Sequence, residues 1–186
     1  MSAQAALEVV AQVRGERIVV TTMTAVAVWP RLSDTPLDFA YLPSAMGHAS
    51  SLGLGLALAQ KRGVIVLNGD GSMLMNLGNL VTIAAHPADL YLLILDNGLY
   101  EVTGGQATAG TGRTDFAALA RGAGIRRVYQ FAELGAWQAG AAAALAGPGP
   151  VAVCLQIEGR LGQKTPQAPR PMAEQIKRLR AALTEI

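Results

Sequence analysis

Cysteine, histidine, aromatic and charged residues are all scarce in this 186-residue chain, which has one Cys, two His, 5% aromatic and 15% charged residues. The single Cys154, within the apolar run Val151 to Leu155, excludes a disulfide framework and a cysteine-based metal centre, and fits a reducing compartment. A net charge of +2 with so few aromatics argues against nucleic acid as the main partner. Phosphate neutralisation needs a basic face, and base stacking needs rings. Six of the fifteen basic residues fall between Arg160 and Arg180, where they read as the solvated face of a terminal helix.

The apolar share of 51% excludes a disordered chain and supports a full core, with some apolar surface left for another chain. No basic segment precedes an apolar stretch in Met1 to Glu16, where Leu7, Val10 and Val13 have helical spacing. The uncharged run Phe39 to Gln60 is long enough to span a bilayer. It is interrupted by Pro43, Ser44, His48, Ser50, Ser51 and glycines, so we expect no membrane segment and a cytoplasmic location.

Short apolar runs at Ile18 to Thr22, Val64 to Asn68, Leu90 to Asp96, Val128 to Phe131 and Pro150 to Ile157 read as strands. Helix-like stretches lie near 47–60, 73–85, 115–123, 132–145 and 172–184. Continuous apolar strands alternating with helices predict a doubly wound, mostly parallel α/β sheet covered on both faces. We expect one domain over 1–186, with 163–186 a Pro-rich spacer and final helix of that domain. Gly53-x-Gly55 lies inside a helical pattern and reads as close packing, and no Gly-x-Gly-x-x-Gly follows the first strand.

Ligands of parallel sheets sit beyond the carboxyl ends of the strands. Two such ends are polar: Val64 to Leu67 runs into Asn68-Gly69-Asp70-Gly71-Ser72, and Leu90 to Leu95 into Asp96-Asn97-Gly98. A carboxylate oxygen, an amide oxygen and a main-chain carbonyl make an oxygen set that suits Mg²⁺ when phosphate completes its octahedron. Gly69 and Gly71 permit close backbone approach, and Ser72, expected to open a helix from Met73 to Ala85, offers a hydroxyl to an anion. These features predict a Mg²⁺-bridged diphosphate.

Gly-Asp-Gly-Ser followed by Asn97, each at a strand end, resembles the fingerprint of the thiamine diphosphate-dependent decarboxylase and carboligase superfamily. The segments Ser44-Ala45-Met46-Gly47-His48-Ala49-Ser50-Ser51 and Tyr100-Glu101-Val102-Thr103-Gly104-Gly105-Gln106 extend the likeness to the sulfopyruvate and phosphonopyruvate decarboxylases. The resemblance implies that Asp70, Asn97 and the main-chain oxygen of Leu99 hold Mg²⁺, and that Gly69, Gly71, Ser72 and Thr22 surround the diphosphate. It implies that Met46 supports the bent cofactor and that the Ser44 carbonyl meets its aminopyrimidine. The loop Gly104-Gly105-Gln106 follows Asn97 closely enough to fold over the diphosphate or substrate, with Gln106 as a polar contact. His48 is implied to donate to substrate or move a proton, whereas His86 reads as structural.

In the resembling family a glutamate on a different domain activates the cofactor. By position none of Glu8, Glu16, Glu101, Glu133, Glu158, Glu174 and Glu185 is expected to serve. The resemblance therefore implies a separate pyrimidine-binding subunit supplying that glutamate, in an α₂β₂-type assembly acting on a small 2-oxo acid. An acetolactate-synthase-like carboligase and a non-catalytic Mg²⁺-diphosphate module remain open.

Overall fold

The computed structural model describes residues 1–184, so Glu185 lies outside the described residues. Six strands form one parallel sheet. In chain order they are β1 (Ile18–Thr21), β2 (Asp38–Ala40), β3 (Val64–Gly69), β4 (Leu90–Asp96), β7 (Arg127–Phe131) and β8 (Val151–Gln156), ordered β2-β1-β3-β4-β8-β7. The central runs are apolar throughout because both their faces are covered: Ile65 and Leu67 point into one core, Val64 and Val66 into the other. A separate two-stranded hairpin pairs β5 (Leu99–Tyr100) with β6 (Gln106–Ala107).

The first face carries α1 (Ala3–Val13), α2 (Thr24–Val28) and α7 (Leu134–Ala144). Trp137 is fully buried there and donates its indole N–H to the Ala6 carbonyl at 3.0 Å, which satisfies the one polar atom of that ring. Covering the second face are α3 (Ala49–Ala59), α4 (Asp70–Leu74), α5 (Asn79–Ala85), α6 (Phe116–Gly122) and α8 (Met172–Thr184). On α3, a Cβ at Gly53 would collide with Val66, whereas one at Gly55 would meet nothing within 4 Å. Close packing thus holds for the first glycine and not for the second.

Several expectations shift. The helix expected over 73–85 begins earlier, at Asp70, and is broken between Leu74 and Asn79. Asn76 within the break donates to the Gly47 carbonyl at 3.0 Å. That bond anchors the loop before α3, and Asn and Gly are poor helix formers. The edge strand β2, the β5–β6 hairpin and α2 have no counterpart among the predicted elements. Not all of the terminal basic cluster is a free solvated face: Arg170 pairs with Asp34 through two contacts of 2.8 and 2.6 Å, and Arg178 reaches the same carboxylate at 3.3 Å. Beyond β8 the chain passes the β5–β6 hairpin and then docks α8 beside β2, where Gln175 Oε1 accepts from Ala40 N at 2.8 Å.

Candidate functional site

The connections leaving β1 and β3 diverge, the first into α2 on one face and the second into α4 on the other. Such a divergence opens a crevice beyond the carboxyl ends of the strands. A cleft lies there, lined by Thr22–Thr24 after β1, Gly69–Ser72 after β3, and Asn97 and Leu99–Thr103 after β4; Met46 and Ile157 close it. Its free volume is about 30 Å³, roughly one water's share of liquid. Tyr100 crowds the Gly71 side of it, with a ring carbon 2.6 Å from where a Cβ on Gly71 would stand.

Of the residues expected at a cofactor site, Thr22, Met46, Gly69, Asp70, Gly71, Ser72, Asn97 and Leu99 all line this cleft. Ser44, His48 and Gln106 do not. His48 sits on the exposed turn before α3 with Nδ1 3.2 Å from the Met46 carbonyl, and Gln106 is exposed on β6 with its amide turned back over Gly104. Ser44 is partly buried, and its Oγ is a buried hydroxyl without a partner. The helix at Ser72 is a single turn, Asp70–Leu74, so it offers individual N–H and hydroxyl donors rather than a long helix dipole. Ser72 Oγ accepts from Gly47 N at 3.0 Å, which leaves its own hydrogen free to donate.

Asp70 is only 2% exposed. Burial pushes its carboxyl up to about 6, and the neighbouring Asp96 carboxylate adds to the rise, opposed by the Gly71 and Asn97 N–H groups and the Thr108 hydroxyl. Asp96 is raised by burial as well, against a hydrogen bond from Gly98. Two carboxyls held above their ordinary range at one sheet edge favour a cation there. Asn97 Oδ1 accepts from Leu99 N at 2.9 Å and keeps a second lone pair. Among the described residues no group of three His, Cys, Asp or Glu side chains forms a metal centre. The oxygen set of Asp70, Asn97 and main chain suits a hard cation that keeps phosphate or water ligands, so the residues present fit Mg²⁺ bridging a diphosphate.

The sequence reading passed over three residues at the site. Tyr100 and Glu101, the latter 5% exposed, line the cleft, and Thr108 donates to Asp70 Oδ2 at 3.2 Å. All three follow Asn97 closely, yet only the hairpin turns them inward. Among the described residues no helix is long and apolar enough to cross a membrane.

A family model described as "Thiamine pyrophosphate enzyme, C-terminal TPP binding domain" matches residues 20–155. A phosphonopyruvate decarboxylase of Streptomyces viridochromogenes is 43% identical over 147 residues, covering 77% of this chain and 36% of that protein. The sulfopyruvate decarboxylase subunit beta of Methanothermobacter thermautotrophicus is 56% identical over 78 residues, covering 41% of this chain and 42% of the subunit. The chain thus spans less than half the length of these relatives. Among solved structures, benzoylformate decarboxylase from Polynucleobacter necessarius superposes with a TM-score of 0.73 at 18% identity, over 90% of this chain and 34% of that one, which shows the shared fold. This chain belongs to the thiamine pyrophosphate enzyme family, through its C-terminal TPP binding domain.

Proposed function

We propose that this chain is the diphosphate-binding subunit of a thiamine diphosphate-dependent, non-oxidative 2-oxo-acid decarboxylase of the 3-sulfopyruvate or 3-phosphonopyruvate class. The observation that carries this reading is the convergence of Asp70, Asn97, Leu99, Gly71, Ser72 and Thr22 on one cleft at the divergence of β1 and β3. Relatives named for those two decarboxylases support the substrate class.

In this reading Asp70, Asn97 and the main-chain oxygen of Leu99 hold Mg²⁺, and Ser72 and Thr22 donate to the diphosphate. When bound, thiamine diphosphate supplies the electron sink that lets a 2-oxo acid lose CO₂. Around it the chain's own residues orient and enclose. Met46 presents an apolar, adaptable surface for the cofactor body. Gly71 lets backbone approach the phosphate, and Tyr100 has to swing outward to admit it. Val102, Leu95 and Ile157 make the wall apolar and limit water. His48, exposed and outside the cleft lining, would act only where a second subunit covers its turn. There its imidazole suits moving a proton to or from substrate.

The described residues hold one parallel sheet of six strands. The pyrimidine side and its activating glutamate are assigned to a separate subunit in an α₂β₂-type assembly in the cytoplasm, and relatives named as a beta subunit support that division.

Titration calorimetry of the chain with thiamine diphosphate tests the proposal, with and without Mg²⁺, alone and with a co-purified partner, and with NAD and ATP as controls. Mg²⁺-dependent binding selective for thiamine diphosphate, abolished by Asp70→Ala, is expected. Unchanged affinity in that variant would overturn the metal assignment. Decarboxylation of 3-sulfopyruvate or 3-phosphonopyruvate by the assembled protein tests the substrate class.

A further inference from the structure

Glutamate is rarely buried unless it is paired. Glu101 is 5% exposed, and no ion pair reaches it among the described residues. Its two oxygens are satisfied by neutral donors from distant segments: Thr24 Oγ1 gives a hydrogen to Oε2 at 2.6 Å, and Arg160 N gives one to Oε1 at 2.7 Å. Both lengths are those of charge-assisted hydrogen bonds. Taking a carboxyl group out of water is costly, and it persists in the interior only where its hydrogen bonds are made. The carboxylate therefore calls for a role beyond packing.

The two partners show what that role is. Thr24 opens α2 directly after Met23, which among the described residues is the one non-glycine with positive φ (49°). Strained backbone of this kind persists when its surroundings fix it, and the Thr24–Glu101 bond fixes it at the lip of the cleft. Arg160 lies in the segment that follows β8. That segment is pinned again where Thr165 Oγ1 donates to the Val102 carbonyl at 3.0 Å, and Leu161 packs on Gly105. Glu101 itself lines the same cleft as Asp70 and Asn97. One carboxylate thus ties together the turn after β1, the loop after β4 and the segment after β8.

We propose that Glu101 is a positioning residue that clamps the Thr22–Thr24 turn and the 158–165 segment onto the Asn97–Gln106 loop, so that diphosphate donors and metal ligands form one site. The inference rests on the cofactor reading above.

Two measurements on the full chain test it. Arg160 and Lys164 are tryptic sites within the clamped segment. In cofactor-free protein, Glu101→Ala is expected to speed cleavage there by about tenfold or more, the loss of a charge-assisted bond. Glu101→Gln can accept from Arg160 N through Oε1 and donate to Thr24 Oγ1 through Nε2, so it is expected to stay near wild type. In calorimetry with Mg²⁺, Glu101→Ala is expected to weaken thiamine diphosphate binding by a similar factor, with Glu101→Gln restoring it and Thr24→Val on the Glu101→Ala background adding no further loss.

Equal cleavage of wild type and Glu101→Ala overturns the clamp, as does equal cofactor affinity. If wild type itself binds no thiamine diphosphate even with a partner, the cofactor reading falls, whereas binding by wild type and Glu101→Ala alike overturns this inference alone. Should Glu101→Ala fail to fold, Thr24→Val breaks the Thr24–Glu101 bond from the other side and is read by calorimetry, where cofactor affinity equal to wild type overturns the clamp.

Discussion

Thr108 donates its hydroxyl to Asp70 Oδ2 at 3.2 Å, and its own backbone N–H is held by the Gly98 carbonyl at 2.9 Å. The hairpin that follows the asparagine thus returns to orient the aspartate. Removing a donor that orients a metal ligand typically lowers metal affinity by about 10- to 100-fold. Thr108→Val is expected to weaken Mg²⁺-dependent cofactor binding by that factor, and Thr108→Ser to preserve it. Magnesium titration at fixed thiamine diphosphate separates the two.

Acidity provides a second check on Asp70. Mg²⁺ competes with a proton for a carboxylate whose value burial has pushed up to about 6. Cation affinity is therefore expected to fall as pH drops through about 6, well above the ordinary aspartate range. Stability of the metal-free chain has the opposite sign. A carboxyl raised on folding costs stability above its folded value, and that cost is relieved as pH falls towards the unfolded value of 3.8. Mg²⁺ is accordingly expected to raise the Tm more at pH 7.5 than at pH 5. An equal rise at both would show that the ion does not bind through Asp70.

Gly69 and Gly71 flank Asp70 yet differ in what surrounds them. A Cβ at Gly71 would lie 2.6 and 2.7 Å from carbons of the Tyr100 ring, while one at Gly69 would meet nothing within 4 Å. Gly71→Ala is expected to displace Tyr100, cost about 1–3 kcal/mol and impair diphosphate binding, whereas Gly69→Ala should leave Tm near wild type and act on affinity alone, through a methyl group beside the diphosphate. Thermal melts and calorimetry on the pair check this directly.

The parallel sheet was readable because β3, β4 and β8 are buried on both sides, and continuous apolar runs record that burial. β2 was not, because Asp38 opens a three-residue strand and is held in place by Arg14, Ser33 and the Trp29 indole, contacts that exist only in the folded chain. Within the site, Asp70 and Asn97 were readable since each directly follows a strand. Tyr100 and Glu101 reach the cleft, and Thr108 reaches Asp70, through the β5–β6 hairpin, whose two-residue strands leave no periodicity to detect. His48 and Gln106 stand close in sequence to lining residues but turn outward, which spacing alone does not reveal.

Cys154 is a further consequence of the double-sided core. Burial pushes its thiol up to about 12, with the Asp115 and Asp96 carboxylates adding to the rise. At pH 8 the reactive thiolate is then a fraction on the order of 10⁻⁴. Alkylation of the native chain by iodoacetamide is expected to proceed only through unfolding, at a rate that tracks denaturant. Rapid labelling in buffer alone would contradict the placement of β8 between β4 and β7.

Asp34 is held below the ordinary carboxylate range, chiefly by its hydrogen bond from Arg170 and with help from Arg178. A carboxylate lowered on folding contributes stability that is present above 3.8, its unfolded value, and lost as pH falls through the folded one. What depends on it is the docking of α8 beside β2, and the Ala40 N–H, bound to Gln175 Oε1, reports that docking. Hydrogen exchange at Ala40 is expected to quicken relative to central-strand amides such as Val66 as pH falls below about 4, after correction for intrinsic rates. Asp34→Asn should produce the same loosening at neutral pH and remove the acid dependence. Exchange at Ala40 that stays in step with Val66 in both tests would mean that Leu179 and its neighbours hold α8 without the ion pairs.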